Sequence, residues 1–169
     1  MSAFGRERKV AELASKRAAE AILEVYRQAE LGVRFKSGDE PVTLADLASD
    51  RVLRSELGRA FPSYGWLSEE SRGTAHTGSP YWLVDPLDGT RELVERRPGF
   101  MVSVGLIAHG HPVVGVVVCP LTGRLWSAEQ GEGATRGGVP IQVSTTRRLE
   151  SSHILVSRTE RSRGQLKGF

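Results

Sequence analysis

The sequence holds a single cysteine, Cys119, in 169 residues. A lone thiol cannot close an internal disulfide, which excludes a stapled secreted scaffold and makes a reducing, cytoplasmic setting the expectation. No stretch approaches the roughly 20 apolar residues that a membrane-spanning helix needs. The segment from Met1 to Val10 is too charged to read as a secretory leader. A block of one charge sign is missing as well: 23 Lys and Arg against 20 Asp and Glu leave +3, with the signs interleaved along the chain. Binding to a nucleic-acid polymer through charge alone is therefore not expected. Internal repeats and low-complexity tracts are also lacking. What is present is a globular balance, 39% hydrophobic and 25% charged, enough for one domain and hardly for two.

Periodicity divides the chain into helices and then strands. From Arg8 to Glu30 the residues Val10, Leu13, Ala14, Ala18, Ala21, Ile22 and Val25 recur at helical spacing, with charges opposite them. A second helix is expected over Thr43 to Phe61, where Thr43 with Asp46 reads as a capping box. The period then changes. Tyr81-Trp82-Leu83-Val84 reads as a short buried strand that stops at Asp85-Pro86. Met101 to Ala108, Val113 to Cys119 and Arg124 to Ala128 read as an antiparallel meander turned at Gly110 and Thr122-Gly123. Gly131, Gly133, Gly137 and Gly138 suggest a flexible loop ahead of Ile141-Gln142-Val143. His153 to Val156 reads as one more buried strand, followed by a polar stretch from Ser157 to Phe169. The expected class is α+β, with N-terminal helices layered on a largely antiparallel sheet. A lone last strand has nothing to pack on, so the expectation is a domain over 1–150 and, over 151–169, the start of a second domain that is cut short.

The strongest chemical signal is Asp85-Pro86-Leu87-Asp88-Gly89-Thr90 at a strand end. Two carboxylates three positions apart converge if the Pro86 turn folds them inward, and carboxylate oxygens select hard cations such as Mg²⁺. Gly89 lets backbone approach a ligand closely, and a helix starting at Thr90 would aim free N–H groups at an anion. The plainer reading is an Asp-Pro turn with an Asp-capped helix start. A second acidic pair, in Leu67-Ser68-Glu69-Glu70-Ser71, supplies a third carboxylate through Glu69 or Glu70, as a two-metal phosphatase site requires; alone, the pair reads as a solvated loop. Cys119, within a valine run, reads as a buried hydrophobe. His109 and His111 flank a turn and lack the partners of a zinc site. Lys36 suits a phosphate contact or a plain loop position equally.

Lys36 to Asp46, Phe61 through Glu70, Trp82 to Thr90 and Gly115 through Pro120 together resemble the inositol monophosphatase-like superfamily of Mg²⁺-dependent, lithium-sensitive phosphatases. Tyr81 to Leu93, with Arg91 and Glu92 after Gly89-Thr90, is more similar to the branch of 3'(2'),5'-bisphosphate nucleotidases than to the inositol branch. The resemblance implies a sugar-phosphatase-type layered sandwich and a homodimer. It implies hydrolysis of a small phosphorylated metabolite by metal-activated water attack, with 3'-phosphoadenosine 5'-phosphate favoured over inositol, sugar or histidinol phosphates. Two or three Mg²⁺ ions are implied, held by Glu69, Asp85, the Leu87 carbonyl and Asp88. Thr90 with Glu69 would orient and deprotonate the water, and Asp46 would bond to that threonine, a role that competes with its capping. Glu69, Leu87, Asp88, Gly89 and Thr90 would line the substrate phosphate.

The chain also departs from this pattern. The family carries a Trp-Asp-x-Ala-type motif further along, and here Trp66, Trp82 and Trp126 are followed by Leu67, Leu83 and Ser127. The alternative from another class is a non-catalytic remnant that keeps the metal-binding half as an interaction or dimerisation module. Arg147, Arg148, Arg158, Arg161 and Arg163 read as a polyanion contact or as a solvated tail.

Overall fold

The computed structural model describes residues 2–36, 39–70 and 79–156. The first helix, α1 (Gly5–Tyr26), buries Ala11, Ala14, Ser15, Ala18, Ala19, Ile22 and Val25. This face is rotated from the expected one: Leu13 stands 49% exposed, and alanines take its place. Alanines suit the position because two helices approach most closely where side chains are small. Their partner is α2 (Leu44–Ala60), which buries Ala45, Asp46, Ser49, Leu53 and Leu57. Here too the leading apolar residues turn outward, with Leu44 and Leu47 more than 40% exposed. The N-terminal turn of α2 is thus buried through polar side chains, which marks it as more than packing.

Between the helices, β1 (Arg34–Phe35) and β2 (Pro41–Val42) form a short antiparallel ribbon. The main sheet has seven strands in chain order: β3 (Gly65–Ser68), β4 (Tyr81–Asp88), β5 (Met101–Ala108), β6 (His111–Cys119), β7 (Arg124–Glu129), β8 (Gly133–Arg136) and β9 (Val139–Ile141). Only β3 and β4 run parallel, so the sheet is largely antiparallel, as expected. Alternation sends Val102, Val104, Leu106 and Ala108 of β5, with Val116 and Val118 of β6, toward the helices, where all are buried. Phe100 and Trp82 complete that core at 0% and 1% exposure.

Three expectations need correction. The strand begun at Tyr81 does not stop before Asp85 but runs to Asp88, because a bulge absorbs Pro86 instead of ending the strand. The glycine-rich segment is a β-hairpin, β8 and β9. Gly137 and Gly138, at φ 59° and 83°, make its two-residue turn, a conformation open to glycine at both places. His153 to Val156 forms no strand and is exposed, with Leu155 at 99%: no neighbouring strand among the described residues offers its backbone a ladder. A short 3₁₀ turn, Leu149–Ser151, precedes it. Arg148 is exposed and faces Glu150, while Arg158, Arg161 and Arg163 lie outside the described residues, as does Ser71.

Candidate metal and phosphate site

Parallel pairing of Ser68 with Val84 brings β3 and β4 to a common end, and Glu69 continues the pairing by donating its N–H to the Val84 carbonyl at 3.2 Å. Glu69 therefore falls beside Asp85, although 15 residues lie between them in the chain. Along the other edge of β4, Asp85 pairs with Ser103 and Asp88 with Met101, three steps against two. The extra residue is accommodated at Pro86-Leu87. Proline has no N–H to offer a ladder, so a bulge is its natural place in a strand, and a bulge re-aims the side chains around it. Asp85 closes the bend by accepting the Leu87 N–H at 3.1 Å.

After the bulge the chain turns through Gly89 at φ 88° into a short helix, α3 (Thr90–Val94). A Cβ at Gly89 would sit 3.1 Å from both the Gly99 carbonyl oxygen and the Phe100 Cα, so conformation and space both require glycine. Thr90 is held at the start of α3 with its Oγ1 2.8 Å from Asp46 Oδ1 and 3.1 Å from the Leu87 carbonyl. A hydroxyl has one hydrogen, and the shorter contact to a carboxylate takes it. Asp46 is 1% exposed, and its other oxygen, Oδ2, accepts the Thr43 N–H at 2.8 Å and the Thr43 hydroxyl at 2.6 Å. The capping box and the contact to Thr90 therefore coexist, one oxygen each. Burial raises the pKa of Asp46, with the bonds from Thr43 and Thr90 pulling the other way.

Electrostatics show how the acids sit. Burial pushes Asp85 up to about 7, and the negative charges of Glu69 and Asp88 push in the same direction. Lys36 meets the second stretch, its Nζ 2.6 Å from Glu70 Oε1 and 3.2 Å from Glu69 Oε1. Burial lowers the lysine's pKa, but the bonds and charges of the two glutamates outweigh it and hold the ammonium above its usual value. The Glu70 side chain is 6% exposed against 52% for Glu69, so Glu70 is the buried anchor and Glu69 the accessible acid. Among the described residues no three acidic side chains close into a tight cage. The structure places Asp85 within the field of both Glu69 and Asp88, with the Leu87 carbonyl beside the Thr90 hydroxyl at the same strand end. Oxygen donors alone suit a hard divalent cation, and the like-charge crowding on Asp85 is what such a cation relieves.

An apolar hollow of about 550 Å³ runs from Asp85 across Leu83, Ser103, Val117 and Trp126 on the face of the sheet away from the helices. A larger one, about 770 Å³, opens between α1 and the β8–β9 hairpin, but none of these acids is on its wall. Two residues at the site were not legible in advance. Ser49, fully buried on α2, donates to the Pro86 carbonyl at 2.7 Å, and Asp50 accepts the Ser68 hydroxyl at 2.6 Å. Their one sequence signal is helical spacing from Asp46. His109 and His111 are exposed, and Cys119 is a buried free thiol.

Helices on one face of a largely antiparallel sheet, with acids gathered where its one parallel pair ends, define a layered α+β protein with an oxygen-donor centre. Residues 6–168 match the model of the inositol monophosphatase family, and the chain belongs to that family. It is 39% identical over 122 residues to the 3'(2'),5'-bisphosphate nucleotidase CysQ of Escherichia coli O157:H7, covering 70% of this chain and 50% of that protein. It is 33% identical over 149 residues to the histidinol-phosphatase of Chlorobaculum parvum, covering 88% and 57%. Among solved structures, the extragenic suppressor protein suhB of Bartonella henselae superposes with a TM-score of 0.78 at 34% identity, over 84% of this chain and 55% of that one. The chain thus spans about half the length of the curated relatives it matches. None of the described helices is long and apolar enough to cross a membrane.

Proposed function

We propose that this chain supplies the metal-gripping half of a Mg²⁺-dependent phosphomonoesterase. Glu69, Asp85, Asp88 and the Leu87 carbonyl would hold the ions. The supporting observation is the Thr90 hydroxyl, bound to buried Asp46 next to these donors. Magnesium, when held there, would neutralise phosphoryl charge and make a nearby water more acidic. With its hydrogen committed to Asp46, Thr90 Oγ1 presents a lone pair to one proton of the attacking water, and the exposed Glu69 carboxylate accepts the other. Water then adds to phosphorus as the P–O ester bond breaks, and the departing oxygen takes up a proton, returned from Glu69 through solvent, so that an alcohol and inorganic phosphate leave. Gly89 makes the left-handed turn that sets Thr90 at the start of α3 beside these donors.

The favoured substrate is 3'-phosphoadenosine 5'-phosphate, on the likeness of Tyr81 to Leu93 to bisphosphate nucleotidases and the 39% identity to CysQ. Histidinol phosphate is the second reading, favoured by a match that extends over 88% of the chain. A homodimer in the cytoplasm is the expected state, tested by light scattering and by fractionation. Phosphate release from these two substrates and inositol phosphate, with and without Mg²⁺, tests the activity. Asp85→Asn should lower the Mg²⁺-dependent rate at least a hundredfold. Full activity in that variant, or no Mg²⁺-dependent release from any substrate by the parent chain, removes the reading.

A further inference from the structure

Asp46, Ser49 and Asp50 occupy positions i, i+3 and i+4 of α2 and so share one face of it. Each is bonded to a different piece of the acidic end of the sheet. Asp46 holds Thr90 of α3, Ser49 holds the Pro86 carbonyl of β4, and Asp50 holds Ser68 of β3. Ser68 directly precedes Glu69, and Pro86 directly follows Asp85. We propose that Ser49 and Asp50 are positioning residues that set the spacing of Glu69 against Asp85 before any cation arrives, an inference that rests on those acids being magnesium ligands.

The bulge is the reason a positioning group is needed. Pro86 is buried and has no register partner on β5, so the ladder does not fix its place. A buried carbonyl left without a donor is costly, and the Ser49 hydroxyl, itself fully buried, is the donor that comes to it. Ser68 is buried too, at 7% exposure, and its hydroxyl hydrogen goes to Asp50 Oδ1. Glu69 and Asp85 repel each other, and left to the strand ends alone they would splay. Helix α2, rigid and packed on α1, ties both strand ends to the same two turns of backbone.

The test is Mg²⁺ binding by titration calorimetry, paired with amide hydrogen exchange of the metal-free chain. Groups that orient metal ligands from behind are typically worth ten- to a hundredfold in affinity. Ser49→Ala is expected to weaken Mg²⁺ at least tenfold and to speed exchange at residues 87–90 while the β5–β6 amides stay protected. Asp50→Leu should weaken Mg²⁺ likewise, whereas Asp50→Asn keeps an oxygen acceptor for Ser68 and should restore affinity to within about twofold of the parent. Ser15→Ala, at a buried serine of α1 whose hydroxyl has no partner among the described residues, is the control and should change neither readout. Should Ser49→Ala not fold, the two Asp50 variants decide. Parent-like affinity and exchange in Ser49→Ala and Asp50→Leu overturns the proposal. Absence of Mg²⁺ binding by the parent removes the magnesium reading instead, and the exchange data then decide whether α2 sets the loop.

Discussion

Asp46 serves two elements with two oxygens: Oδ2 caps α2 through Thr43, and Oδ1 fixes the hydroxyl at the start of α3. Replacing it tests both. In Asp46→Ala the Thr43 N–H and both threonine hydroxyls lose their acceptor in a site that is 1% exposed. A lost helix cap costs about 1 kcal/mol and a bond to a buried charge about 1.5–3 kcal/mol, so a loss of about 2–4 kcal/mol is expected in urea unfolding. Asp46→Asn keeps one acceptor oxygen but turns an NH₂ toward either the Thr43 donors or the Thr90 hydroxyl. It should therefore fall between, at about 1–2 kcal/mol. If Asp46 served the capping box alone, Asp46→Asn, which keeps an acceptor for the Thr43 N–H, would stay near the parent and only Asp46→Ala would lose stability. Glycine 89 makes a sharper case. With φ at 88° and backbone atoms 3.1 Å from any added Cβ, Gly89→Ala should cost about 1–3 kcal/mol in the same assay.

At the scale of elements, the site depends on how α3 is tied to α1. No basic residue lies in the last turn of α1; Arg96, two residues beyond the end of α3, does that work from outside. Its guanidinium donates to the Tyr26 carbonyl and, at 2.7 Å, to that of Gln28, and lies 4.7 Å from the Tyr26 ring centroid. Arg96→Ala removes an exposed cap and cation–π contact, for which about 1 kcal/mol is the expected cost. Faster amide exchange at Tyr26 and Arg27 would localise it, and uniform exchange along α1 would count against the capping role. Contacts of this kind are what the sequence could not disclose. Helices α1 and α2 and strands β5 to β7 were legible because burial on one face imposes a period of 3.6 or 2 residues. The β8–β9 hairpin was not, since its glycines carry no periodic apolar signal. His153 to Val156 misled for the opposite reason: an apolar run has strand character, yet a strand exists only beside another. At the site, the acids and Thr90 stood out as a motif, with their roles still proposals. Arg96 left no mark, and Ser49 and Asp50 none beyond their helical spacing from Asp46, because a hydrogen bond between elements needs one residue and no pattern.

For the molecule as a whole, the described residues clothe the sheet on one side only. The helices cover the face of Val104 and Val116, and the other carries Leu83 at 45% exposure with the apolar hollow beside Asp85. At its far end the covered side carries a clasp between the segment before α1 and the end of β7. Glu129, the last residue of β7 and 4% exposed, accepts the Ser2 hydroxyl at 2.5 Å and the Phe4 N–H at 2.8 Å through Oε1, while Oε2 lies 3.4 Å from Arg8 Nε. Burial alone would raise its pKa. The bonds from Ser2 and Phe4 and the charge of Arg8 outweigh that and leave it below the usual glutamate value. The folded chain thus binds this proton less readily than the unfolded one, so stability rises with pH across the interval between the two values. The clasp contributes in full above the unfolded value, about 4.3, and its contribution is lost as pH falls through the lower folded value. Glu129→Gln should cost about 1–2 kcal/mol at pH 7 in urea unfolding. It should also flatten the loss of stability between about pH 5 and pH 3 relative to the parent. If parent and variant lose stability in parallel on acidification, the clasp is not held by the charged form and the assignment fails.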